Sequence, residues 1–242
     1  DATVIADSLI EEQEFVSSIN ISGLHRTNSE IAKKNALSEI IFGSNLRYNT
    51  RSLQFGIAAV YQGYSKALIK NTLPYNQYDF RGKGMVGYSL DYSWVVKNFN
   101  FFGEIAATSY SGGFANVHGV LFSLDSRATM SLVYRNYAKD YQTFYNAGFA
   151  EASRTQNEKG LYAGLKVNLS KTFTVNTYVD VFKFPWLKNQ VDSPSDGHEF
   201  MIQPSYRPSR ALEVYARFRE QRRQKNSRLS DGSITELEDI IQ

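Results

Sequence analysis

The sequence predicts an all-β fold, an antiparallel transmembrane β-barrel of the outer-membrane kind, on three observations. Segments of roughly 9–13 residues alternate apolar and polar side chains, the period-two pattern of a strand with two unlike faces. Their connections alternate between tight turns and long polar loops, the rhythm of short periplasmic turns and longer outer loops. No run of 18 or more apolar residues occurs, so any crossing of a membrane falls to strands rather than a helix. Strands of soluble sheets are shorter, most often about 5–6 residues.

The elements follow in order. Asp1 to Glu14 is acidic and weakly patterned, a loop or linker. Phe15 to Leu24 reads as a first strand, and His25 to Ala36 as a polar loop with one helical turn. Ser38 to Tyr48 and Leu53 to Tyr64 form a hairpin about Asn49–Ser52. A polar excursion, Ser65 to Lys83, leads to Gly84 to Lys97, which turns at Lys97-Asn98 into Phe99 to Ser109. Ser111 to Gly113 returns the chain into Phe114 to Leu124, and Asp125–Arg127 into Ala128 to Tyr137. A second long loop, Asp140 to Lys159, precedes the hairpin Gly160 to Trp186, with its turn at Ser170-Lys171. The loop Pro185 to Asp196 separates it from a last hairpin, His198 to Tyr206 and Ala211 to Arg222.

About eleven strands are thus expected within residues 15–224, with 225–242 a polar loop or tail. No basic and apolar leader pattern opens the chain, and its end does not read as a barrel-closing strand. The expectation is an incomplete segment of a larger barrel.

Composition agrees without deciding. The 242 residues carry a net charge of +3, with 21% charged and 14% aromatic residues, among them 16 Tyr, 16 Phe and 2 Trp. That balance excludes a disordered acidic chain and declares no polyanion binder. A mean hydropathy of -0.39 suits a barrel, whose strands turn one face to a polar lumen. Cysteine is absent, which excludes a disulfide scaffold and a Cys-ligated zinc site.

If the apolar sets face lipid, the opposite sets line the interior and contain Glu39, Arg47, Asp91, Glu104, Arg135, Lys166, Asp180, Glu199, Glu213, Arg217 and Arg219. Charges of both signs in one enclosure point to cross-strand pairing rather than a strongly ion-selective pore. A lipid-side charge at mid-bilayer would cost about 2–4 kcal/mol, which fixes the phase. Tyr48, Trp94, Phe99, Phe101, Tyr206 and Phe218 lie toward strand ends, where an interfacial aromatic girdle is expected.

The chemistry-bearing motifs are sparse. His25, His118 and His198 show no metal-ligand spacing, so neither a metal nor a cofactor is expected. Asp192, Ser193, Asp196 and His198 are hydrolase residue types, but neighbours within one turn do not form a triad and no G-x-S-x-G elbow exists. The basic stretch Arg217 to Arg228 offers Arg222, Arg223, Lys225 and Arg228 as contacts for a polyanion or the phosphates of lipopolysaccharide. It lacks the interleaved aromatics of a base-stacking platform, so nucleic acid is unsupported.

Six stretches resemble one family: Gly23 to Thr27, Ser29 to Ala36, Asn100 to Glu104, Leu132 to Glu151, Asn157 to Leu165 and Asp180 to Phe200. They are similar to Bacteroidota-type helix-hairpin-helix, competence-like proteins, in which such modules precede a long barrel-like region. Asp180 to Phe200, with FPWL and VDSPSDGHE, is the most specific part. The resemblance implies a cell-envelope barrel and a link to DNA uptake; the helix-hairpin-helix part itself has no counterpart here. The expected function is therefore a non-enzymatic component of the outer membrane of a Gram-negative bacterium. It would act in transport or envelope assembly, among outer-membrane lipid, lipopolysaccharide and other outer-membrane proteins. A lipid-acting hydrolase of that membrane and a soluble β-rich binding protein are the alternatives.

Overall fold

The computed structural model describes residues 15–17, 19, 26–145, 147–228 and 234–242. The expected N-terminal loop and most of the first expected strand lie outside them, leaving β1, Phe15–Val16. The helical turn expected before the first hairpin is α1, Asn28–Ala32. Thr27 starts it as a capping box: its hydroxyl accepts from Glu30 N, and the Glu30 carboxylate returns to Thr27 N.

The remaining strands are β2 Glu39–Asn49, β3 Leu53–Leu68, β4 Gly82–Val96, β5 Phe99–Thr108, β6 Phe114–Asp125 and β7 Ala128–Tyr137. After a long connection come β8 Glu158–Asn168, β9 Phe173–Phe184, β10 Ser195–Tyr206, β11 Val214–Tyr215, β12 Phe218–Arg228 and β13 Ile234–Ile241. They form one 13-stranded sheet in which neighbours are antiparallel, apart from β1, which runs parallel to β3. The all-β antiparallel expectation is met. Closure is not: among the described residues β2 pairs only with β3 and β13 only with β12.

The last third departs from expectation in two places. The strand expected over Ala211 to Arg222 is split into β11 and β12. Pro204 faces the break, accepting from Ala216 N at 3.2 Å while having no N–H to return, so the ladder lapses there. The polar tail expected at 225–242 instead completes β12 and supplies β13. The hairpin is held partly by charge, since Arg222 pairs with Asp239 and Lys225 stands opposite Glu238. Its density of acids hides β13 from an apolar alternation.

The sheet is staggered. One continuous hydrogen-bonded row runs Arg47, Gly56, Asp91, Glu104, Val117, Arg135, Gly160, Phe182, Gly197 and Arg223, from β2 to β12. Arg47 stands two residues from the short-turn end of β2, whereas Phe182 stands nine residues from that end of β9. Tilt of this kind is what wrapping a sheet into a barrel demands.

Candidate functional site: the charged concave face and the segment across it

Cross-strand registry assigns every strand residue to one of two faces. The outer face carries Leu46, Phe55, Ile57, Leu90, Leu161 and Val179, all exposed. Near the short-turn end, Trp94, Phe101, Phe99 and Phe122 join into an outer aromatic cluster with centroids 5.5–6.0 Å apart. The other face carries the charges. Arg135 and Glu158 have no exposed surface at all, and Asp180, Glu199 and Gln221 are buried beside them.

What buries them is the connection between β7 and β8. Residues 138–145 and 147–157 fold onto the charged face instead of out from the sheet. Tyr145 donates from its hydroxyl to Glu39 on β2 at 2.9 Å. Phe144 meets Tyr64 of β3 edge-on at 5.5 Å and Phe80 at 5.3 Å. Phe149 lies edge-on to Tyr162 of β8 at 5.4 Å, and its carbonyl accepts from the Tyr137 hydroxyl at 2.7 Å. Glu151 accepts from Gln221 at 2.8 Å and pairs with Arg223, both on β12. Six residues thus join anchors nine strand intervals apart, about 43 Å along a flat sheet. Fully extended, six residues cover only about 20 Å. Loop contacts say the same: Trp186 Nε1 donates to Pro74 O at 3.0 Å, and the Lys139 ammonium sits over both the Tyr78 and Trp186 rings. The sheet curls about the segment, with the charged face concave.

At the centre, Arg135 donates through Nε to Glu158 at 2.5 Å and through Nη1 to Asp180 at 2.8 Å, while Nη2 has no hydrogen-bond partner among the described residues. Glu158 also accepts from the backbone N–H groups of Glu151, at 2.9 Å, and Ala152, at 3.0 Å. One carboxylate therefore holds both the guanidinium and the inward segment. Gly160 makes room for it: a Cβ there would stand 2.4 Å from Arg135 Cζ. A second cluster follows along the wall, where Glu199 accepts from Arg219 at 2.5 Å, Gln221 at 2.7 Å and the Tyr178 hydroxyl. In the segment, partial desolvation of the hydroxyl of the largely exposed Tyr145 raises its phenol above the ordinary range, and the Glu39 carboxylate it donates to adds to the shift. Beyond β9, burial lowers the Lys188 ammonium.

Of the residues expected inside, Glu39, Arg47, Asp91, Glu104, Arg135, Lys166, Asp180, Glu199 and Arg219 take the concave face by registry. Arg47 pairs with Asp91 at 3.1 Å, as charges of both signs foretell. Arg217 reaches Gln203 at 2.6 Å, and Glu213 lies exposed outside the strands. The four expected polyanion contacts do not stay together. Arg222 faces outward and pairs with Asp239; Arg223 turns inward to Glu151, and Lys225 shares its side. The reason is strand alternation, which sends neighbours to opposite faces. The Arg228 side chain lies outside the described residues. Glu158, Glu151, Gln221 and Tyr145 went unnoticed in the sequence because three of them fall in, or act through, what reads as an outer loop.

His118 and His198 face outward, His118 sharing a 3.1 Å hydrogen bond with Tyr92, and His25 lies outside the described residues. Among the described residues no group of three or more His, Asp or Glu is placed to hold a metal ion. The hydrolase residue types are drawn apart: Asp192 N donates to Asn226, Asp196 N to Gln224, and His198 faces outward opposite Arg222.

No family model and no curated protein matches the chain. Among solved structures it is similar to one outer-membrane protein. The crystal structure of OprD from Pseudomonas aeruginosa matches at 13% identity with a TM-score of 0.40, covering 81% of this chain and 68% of that one. A likeness so slight carries no function from one protein to the other. No helix of the described residues is long and apolar enough to cross a membrane.

Proposed function

We propose that the chain is the wall and internal plug of a β-barrel in the outer membrane of a Gram-negative bacterium. Its role is non-enzymatic, in transport or envelope assembly. One observation carries the reading: the burial is inside out. Fully buried Arg135 and Glu158 lie on the concave side, while Leu46, Leu161 and many other large apolar side chains stand exposed on the convex one. In water such a surface favours association; in hydrocarbon it is at home. The segment between β7 and β8 makes contacts across the concave face from β2 to β12, which supports the reading of a plugged barrel. Its test is extraction from envelopes by detergent alone, together with heat-modifiable gel migration. Release by salt or alkali into the aqueous phase would favour a soluble β-rich protein instead.

The link to DNA uptake, and to helix-hairpin-helix proteins of Bacteroidota, rests on the six sequence stretches named above. Its test is the full gene product, which should carry a helix-hairpin-helix module ahead of these strands.

A further inference from the structure

The outer face holds a groove of about 790 Å³ at the long-loop end of β8, β9 and β10. Its floor is apolar and half-exposed: Tyr134, Leu161, Val179 and Val181. Its upper margin carries Lys159 and Lys183, which are direct cross-strand partners on β8 and β9. Such partners have Cα atoms about 4.5–5.5 Å apart, and like charges at that separation repel. Neither ammonium forms a hydrogen bond or ion pair within the described residues. Asp196 is the next residue in the same row but stays outside ion-pair distance of Lys183, and Arg222, the remaining strong cation of the groove, is already paired with Asp239. Two ammoniums with no direct ion pair among the described residues therefore sit side by side above an apolar floor, with a single carboxylate, Asp196, next in the row.

We propose that Lys159 and Lys183 bind the phosphate of an anionic membrane lipid whose acyl chain lies along Leu161, Val179 and Val181. The proposal rests on the membrane reading above. One phosphate relieves both lysines at once by charge-assisted hydrogen bonds, and the apolar rows beneath them match the chain attached to it. The long basic stretch of β12 is not the site, because its outward arginine is satisfied by β13.

The test uses the full protein reconstituted in phosphatidylcholine vesicles containing spin-labelled phosphatidylglycerol or spin-labelled phosphatidylcholine. The motionally restricted fraction should favour phosphatidylglycerol several-fold. The double variant Lys159→Gln with Lys183→Gln should erase that preference, while Lys171→Gln, in the opposite short turn, should keep it. Equal preference in the double variant, or none in the wild type, overturns the site. Displacement of the labelled lipid by millimolar inorganic phosphate alone overturns the lipid as its ligand. If neither label is restricted at all, the chain does not meet lipid, and the membrane reading falls with it.

Discussion

Replacing Arg135 by leucine would leave Glu158 and Asp180 buried near one another without a cation. Breaking a buried ion pair from one side costs about 3–5 kcal/mol, and that loss is expected in urea titrations followed by heat-modifiable migration. A neutral outcome would show that solvent reaches the cluster. Tyr145 gives a pH signature. Its folded-state pKa is raised, so its tether to Glu39 contributes fully below the ordinary tyrosine value of about 10 and is lost as pH climbs beyond it. Proteolysis within residues 138–157 should therefore accelerate at high pH, and Tyr145→Phe should flatten the dependence. At this scale the sequence was half legible. Alternation placed Arg135 and Asp180 on one face, because strand geometry is local. Their third partner, Glu158, sits where the chain reads as loop, and no local rule brings residues 138–157 back over the sheet.

Among the elements, the inward segment is the one that lies across the concave face. Phe144 and Phe149 are its apolar holdfasts, against Tyr64 and Phe80 at one end and Tyr162 at the other. Truncating both to alanine should loosen it and raise single-channel conductance of the full protein in planar bilayers. Unchanged conductance would mean that the obstruction lies elsewhere. The hairpin of β12 and β13 makes a second case. Its basic strand looked like a surface for an external polyanion, and its acidic partner looked like a tail. Charge hid each strand from a search for apolar rows, and the two answer one another. Asp239→Asn should therefore weaken the hairpin, seen as faster amide exchange in Ile234–Ile241.

For the whole molecule, direction decides what closure needs. Following β2 up and down the sheet to β13 passes eleven long strands, so β2 and β13 point the same way. Joined directly, they would have to pair in parallel; an odd number of further strands restores antiparallel closure. In the full protein within a membrane, the outward amides of β2 should thus be protected from exchange. Rapid exchange along all of Glu39–Asn49 would leave this an open sheet. The strands from β2 to β10 and the alternating loop lengths were legible from the chain, since both follow from local patterns, whereas β13 was not. The stagger and the curl were not, since registry emerges only when strands meet.

The segment tied to β2 at one end and β12 at the other also constrains the wall. It leaves the wall after β7 and rejoins it at β8, so it links the earlier strands to the later ones across the interior. The short span between Tyr145 and Glu151 limits how far β2 and β12 can stand apart, and so works as an internal gauge of the girth of the wall.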